Sequence, residues 1–340
     1  MFDHLVMLAL DGCKGAKIWI TRTGSYHEKK SGEAYRRILR ENKGLMEWAA
    51  KVDLEQHGVV VPICGPGEFN FGDRYLALTG FPYRFGKAGS GEITALTAET
   101  LALLSEGEID EVLSGLAILD GPAAVWLSEH GHADDIGVDA RPWSGRTIQA
   151  HEFSDGSRQP GIRTIALADL TNSRDGARTL TRLLHRDAMG GELVFEAPGS
   201  LLYENGRGGR ILVLAQPIPA QATSYFSAQF FSEGYKAQMA AWLKALAGEM
   251  PGGVNYLGVG PVTCLSGTTK EGEEIVVLNA LDLDGDSEPE LSFPCVPTKI
   301  ERLCGDGGWE SVAFESAPDG SAVKLHSPVA VQHPAIFRWE

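Results

Sequence analysis

The texture of this sequence changes once, near residue 250, and that change limits the fold more than any other feature. Before it, strand-like and helix-like stretches alternate. Phe81 to Phe85 and Ile93 to Thr97 read as short strands. Glu106 to Leu113 reads as a helix, with Ser105 as N-cap and Glu108 at N3 completing a capping box. Leu116 to Leu119 is a continuous apolar run of the buried-strand kind, closed by Asp120 and Gly121. The next helix, Pro122 to Glu129, has proline at its tolerated first position and Gly131 beyond its end, and Ile136 to Val138 reads as a further strand. Such alternation predicts parallel pairing, crossover helices and a layered α/β domain. Tyr235, Met239, Trp242, Leu243 and Leu246 then mark an amphipathic helix, stopped by Gly248 and Pro251. After it come only short strand-like runs, at 262–266, 274–281, 289–293, 309–314, 322–326 and 329–338, between turns rich in Gly, Asp and Pro. Their length and spacing predict an antiparallel sandwich or open barrel.

The segments flanking the alternating stretch are less regular. Between 139 and 232 the pattern weakens, although 192–215 reads as a hairpin turning at Asn205 and Gly206, with Gly208 and Gly209 able to widen it. The run 177–184 fits helix or strand equally. Near the start, Phe2, Leu5, Val6, Ala9 and Leu10 recur at helical spacing. Ala16 to Thr21 is β-favouring and leads into a polar loop holding Arg22, Ser25, Tyr26, His27 and Glu28. A helix is expected over 31–56 from the spacing of Tyr35, Ile38, Leu39, Leu45, Met46 and Ala49, capped by Ser31 with Glu33 in its first turn. Helix, strand, helix is one unit of an α/β fold, entered partway through. Glycines and a proline at 65–72, after the run Val59 to Cys64, suggest a boundary over 65–78. The expectation is therefore three parts, 1–78, 79–232 and 233–340, the last comprising a linking helix and a β domain.

With 340 residues, more than one domain is expected. The formal charge of −15 argues against nucleic acid or an anionic membrane as partner, because both require clustered Lys and Arg. No apolar run approaches the ~20 residues of a bilayer span, and the first residues lack the basic head of a secretory signal. The compartment stays open on these grounds, with the cytoplasm favoured. Five cysteines, at 13, 64, 264, 295 and 304, are scattered, without a C-x-x-C pair, and read as free thiols. His130, His132 and the pair His151 and Glu152 lack a third ligand on a common face, and read as surface or helix-end groups. Asp282, Asp284, Asp286 and Glu288 around Gly285 miss the calcium-loop spacing and read as an acidic hairpin turn. No metal or cofactor is expected.

Four stretches carry a family resemblance: DGCKGAKIWITR at 11–22, EAYRRIL at 33–39, LAILDGPAAVWLSEHG at 116–131 and YENGRGGRILVLA at 203–215. Together they resemble the C-terminal half of bacterial retaining glycosidases similar to the beta-galactosidases of glycoside hydrolase family forty-two. The resemblance implies the end of an eightfold barrel, then a flavodoxin-like domain similar to class I glutamine amidotransferases, then a small antiparallel β domain. It also implies that the acid/base and nucleophile carboxylates lie upstream of Met1, so that this chain lacks the pair a retaining mechanism needs. Trp19 would be a sugar platform at the end of the last barrel strand, or a tryptophan of the barrel core. Arg22, His27 and Glu28 would touch sugar hydroxyls, or be ordinary solvated loop residues. A cysteine-hydrolase reading of the middle domain needs a nucleophile at the strand-to-helix turn LDGPAA, which has none; Cys64 is the only glycine-adjacent cysteine near that domain. Middle domains of this type resemble trimerisation domains, so a homo-oligomer is expected. The functional expectation is an accessory or assembly portion of a glycosidase-like protein, with a stand-alone carbohydrate-binding module as the alternative and an amidotransferase-like hydrolase behind it.

Overall fold

The computed structural model describes residues 6, 7, 9, 10, 29–62, 80–87, 91–160, 167–188, 190–216, 233–248, 253–260, 262–280, 284–330 and 333–340. The chain divides into two compact units, Met1–His57 with Gly253–Glu340, and Gly58–Gly252. In the first, Val6 and Leu10 are helical and buried, as their i, i+4 spacing leads one to expect. The helix expected over 31–56 is instead two helices and a strand: α1 (Lys29–Glu41), α2 (Lys43–Lys51) and β1 (Leu54–His57). Asn42 breaks the helix, its φ of −114° and ψ of 23° lying outside the helical basin while its side-chain amide donates back to Ile38 O at 2.9 Å. Glycine follows for a steric reason, since a Cβ on Gly44 would lie 2.0 Å from the backbone of Asp306. Leu54 to His57 then pair antiparallel with Thr269 to Ser266, a partner far along the chain that overrides local helical preference.

The second unit contains β2 (Val59–Pro62), β3 (Tyr83–Gly86), β4 (Ile93–Leu96), α3 (Ala98–Leu101), α4 (Glu106–Leu113), β5 (Leu116–Leu119), α5 (Gly121–Glu129), α6 (Ala133–Ile136), β6 (Arg141–Pro142), β7 (Ala150–Phe153), β8 (Arg158–Pro160), β9 (Ala168–Asp169), β10 (Arg178–Arg186), β11 (Leu193–Glu204), β12 (Arg210–Leu214) and α7 (Glu233–Ala247). Its nine-stranded sheet has the order β3-β2-β4-β5-β12-β11-β10-β7-β8. The first five strands are parallel. Numbered among themselves they run 2-1-3-4-5, the flavodoxin-like order. The remaining strands pair antiparallel. Side chains alternate between two cores: Ala117, Leu119, Ile211 and Val213 face Leu101, Ile109 and Leu127, whereas Ile118, Leu212 and Leu214 face Met239, Trp242, Leu243 and Leu246. Helices thus cover both faces, which explains why β5 reads as an unbroken apolar run.

This unit reaches beyond 79–232 at both ends. Val59–Pro62 is an interior parallel strand of its sheet, between β3 and β4, and α7 buries its apolar stripe on the same sheet rather than linking to the β domain. Local pattern reveals that such a strand or helix exists, but its partner is set by long-range packing. The strand expected at 136–138 is absent. Ile136 ends α6, Gly137 takes a left-handed φ of 75° with Tyr203 against its Cα, and Val138 makes only a bridge to Ser173. The run 177–184, which fitted helix or strand, lies largely in β10.

The first unit resumes with β13 (Asn255–Tyr256), β14 (Val262–Thr269), β15 (Glu274–Ala280), β16 (Glu290–Ser292), β17 (Ile300–Leu303), β18 (Trp309–Ser311), β19 (Phe314–Ser316), β20 (Val323–Leu325) and β21 (Ala335–Trp339). They build a six-stranded sheet, β1-β14-β15-β21-β17-β18, and a four-stranded sheet, β13-β16-β20-β19. Every pairing in both is antiparallel. Val262, Val276, Ile300 and Phe337 of the larger sheet share a core with Tyr256, Leu291, Val323 and Leu325 of the smaller, which makes this a sandwich. The larger sheet's other face, with Ile275, Val277 and Ile336, is covered by Val6, Leu10, Leu45 and Ala49. The protein is thus α/β in one unit and antiparallel β in the other, with no closed barrel among the described residues.

Candidate functional site

Trp19, Arg22, His27, Glu28 and Cys64 lie outside the described residues. The place in the described fold where chemistry is best sought is the carboxyl edge of the parallel strands, because open α/β sheets bind ligands outside those ends, near the switch in strand order. Here the switch falls between β2 and β4. Thr97 follows β4 and caps α3, its Oγ1 accepting from Thr100 N at 3.3 Å. Asp120 follows β5 and caps α5, its Oδ1 accepting from Ala123 N at 2.8 Å while Pro122 sits in the first turn. Asp120 is 1% exposed.

The turn is pinned against the end of β12. Gly121 N donates to Gln216 O at 3.1 Å, Ala168 N to Ala215 O at 2.7 Å, and Ala215 N to Gly199 O at 2.9 Å. A Cβ on Gly121 would lie 2.1 Å from Ala215 O, so only glycine allows this approach. Gln216 is buried, with its Oε1 unpartnered. A helix N-terminus of this kind attracts anions through its free N–H groups and dipole. In this protein the anion is internal, since the Asp120 carboxylate occupies the first turn. The strand-to-helix turn that would carry a cysteine nucleophile carries instead a buried carboxylate bound to the backbone, so this arrangement caps a helix and offers no activated nucleophile.

Other polar clusters are structural. Asn205 accepts from Arg207 N at 3.0 Å and Gly209 N at 2.8 Å, and donates to Leu113 O at 2.8 Å and Asp135 O at 3.0 Å. The turn after β11 is therefore built on Asn205 with the left-handed glycine at 208, rather than on an Asn205–Gly206 pair in a two-residue turn. Asp286 accepts from Glu288 N at 3.1 Å and from the Tyr256 hydroxyl at 2.7 Å, consistent with an acidic turn. His130 ends α5, with Nδ1 2.7 Å from Trp126 O and its ring stacked on that indole. His132 precedes α6 and lies 3.0 Å from Asp135 Oδ2. His151, expected at the surface or a helix end, is instead a core residue in β7, because its strand is central to the antiparallel half. His185 lies 2.9 Å from Asp187 Oδ1 and 2.8 Å from Glu196 Oε2, beside Arg146. Among the described residues no three His, Cys, Asp or Glu side chains are grouped to hold a metal ion, and no helix is long and apolar enough to cross a membrane.

Two residues here escaped sequence reasoning. Asp120 was legible only as the residue closing a strand, although Asp before Gly-Pro is also an N-cap signal. Asn205 gave a turn signal but no sign of its four bonds, two of which reach residues 70 and 92 positions away.

No family model matches the chain, and no curated protein matches it. Among solved structures, one match is a cycloisomaltooligosaccharide glucanotransferase from Paenibacillus sp. complexed with cycloisomaltoheptaose, at 10% identity and a TM-score of 0.20. The match covers 73% of this chain and 55% of that one. The chain thus spans about half the length of that structure, and a likeness this low assigns neither fold nor activity.

Proposed function

We propose that this chain is an accessory portion of a glycoside-hydrolase-like protein, its α/β unit serving assembly rather than catalysis. The observation that carries the non-catalytic part is Asp120. A flavodoxin-like sheet offers its carboxyl edge to ligands, and in this unit a buried carboxylate fills the α5 N-terminus while Gly121 closes the turn on β12. The glycosidase assignment rests on the motifs at 11–22, 33–39, 116–131 and 203–215, which resemble beta-galactosidases similar to family forty-two. The purified chain is expected to hydrolyse neither nitrophenyl glycosides nor glutamine, and to show by light scattering a mass that is a multiple of the protomer's. Turnover of either substrate that disappears in Asp120→Asn would overturn the reading by giving Asp120 chemistry to do. Calorimetric binding of oligosaccharides by a monomeric chain would replace it with a stand-alone binding module.

A further inference from the structure

Arg302, in the β sandwich, is a half-buried cation with no counter-charge among the described residues. It shares a face of β17 with Ile300, which belongs to the sandwich core, and its guanidinium carbon lies 5.8 Å from the centre of the Phe337 ring. Nη1 donates to Ser327 Oγ at 2.8 Å and to Pro328 O at 2.9 Å, both neutral acceptors. Arg338, on the neighbouring strand β21, has two carboxylates instead, Glu273 and Glu301. Glu310 stands opposite Arg302 in the register of β17 and β18, yet its carboxylate bonds the Cys304 thiol. Burial accordingly holds Arg302 below its ordinary value, the direction for a cation drawn out of water. His333, whose Nε2 is 3.0 Å from Asn42 Oδ1, feels the same charge: burial first, and then Arg302, push its imidazole down.

We propose that Arg302 anchors a binding site for a small carboxylate at the margin of the β sandwich, separate from the role of the α/β unit. Bonds from Nη1 to two residues of one loop, with the Phe337 ring below, orient the guanidinium before any ligand arrives. Its other edge, Nε with Nη2, carries no bond among the described residues and is open to water. That edge presents two parallel N–H donors, the fork that matches a carboxylate. The same edge of Arg158 holds Glu152 in this protein, at 2.9 Å from Nε and 2.7 Å from Nη2. A carboxylate also balances the charge of Arg302 one for one. A multiply charged anion would meet the chain's formal charge of −15 and Glu310 close by, both of which repel it. Neutralising Arg302 removes one of the two causes that depress His333, so a bound carboxylate should raise the pH at which that ring titrates.

The test is NMR of the full chain with sodium acetate as probe, against sodium chloride at equal ionic strength and inorganic phosphate. Acetate is expected to shift the Arg302 Nε–H resonance saturably and to raise the His333 midpoint, and chloride to do neither. Arg302→Lys keeps the charge without the fork, and should bind acetate at least about tenfold more weakly. In Arg302→Gln the His333 midpoint should be raised already and no longer respond to acetate. An acetate effect no larger than that of chloride overturns the proposal. So does equal acetate affinity in Arg302→Lys, which would show that charge alone attracts the anion, and so does phosphate binding tighter than acetate. If neither variant folds, the Nε–H and His333 titrations of wild type with the three anions decide.

Discussion

The two ends of the parallel strands in the α/β unit use their polar residues differently. At the carboxyl ends of β5 and β12, the turn is held by a few groups that are almost fully buried: Asp120 capping α5, Gly121 against Ala215, and Gln216. At the amino end, many charged groups gather. Arg207 pairs with Asp110 and Asp135, and His132 lies between Asp135 and Glu106. Yet Arg207 is 42% exposed and Asp110 52%, so water screens these pairs and each contributes little. The neutral residue among them, Asn205, is buried and holds four backbone groups. The comparison shows that charge density does not mark the working end of this sheet. Buried contacts are the better guide, and they occur at both ends.

The largest effect should come from Gly121→Ala. Its new methyl would lie 2.1 Å from Ala215 O, and that carbonyl already accepts from Ala168 N. Neither the turn nor the end of β12 can move without breaking bonds that close the edge. A loss of about 3 kcal/mol is expected, the upper range for overpacking, read as a fall in the urea midpoint at unchanged slope. A variant within about 0.5 kcal/mol of wild type would mean that the carboxyl edge is loose, and would reopen it as a ligand site.

Asn205→Ala should follow, at about 2 kcal/mol. It strands Leu113 O, Asp135 O, Arg207 N and Gly209 N, of which the Leu113 and Gly209 bonds are buried. Arg207→Ala is the control within the same experiment, expected to cost less than Asn205→Ala because the guanidinium itself is open to water and its pairs are screened. If the order of the two were reversed, the charged network rather than the buried amide would hold the amino end together.

How much of this was legible in the sequence depended on how local each cause is. The capping box of α4 was readable because Ser105 and Glu108 are three residues apart, and both bonds form, with Glu108 N donating to Ser105 Oγ and Ser105 N to Glu108 Oε2. The strand-helix succession β4, α4, β5, α5 and most of the sandwich strands were readable from periodicity for the same reason. What failed was pairing over distance. β1 lay hidden inside an expected helix because its partner begins at Thr269, and β17 escaped because Ile300–Leu303 is too short and too charged to signal a strand alone. His151 sits beside Glu152 in a stretch that looks polar, and its burial comes from its place in an interior strand of a sheet packed on both faces.

The smallest effect, and the most discriminating, belongs to one of two substitutions at Asp120, the change to Asn. Asp120→Ala removes the acceptor for Ala123 N and should cost about 1–2 kcal/mol, the usual range for a lost N-cap. Asp120→Asn keeps an oxygen in place of Oδ1, and should remain within about 0.5 kcal/mol of wild type if capping is the role of the side chain. The pair of variants separates two uses of the same carboxylate. A cap needs only an acceptor, so Asn substitutes. A group that works by its charge, whether as an acid, a base or a counter-ion to a bound cation, loses its role in Asn while the fold survives. Equal stability of wild type and Asp120→Asn, with neither variant gaining or losing any binding, therefore leaves the carboxyl edge closed by local chemistry; it would then match the amino end, where Asn205 closes the turn without any charge.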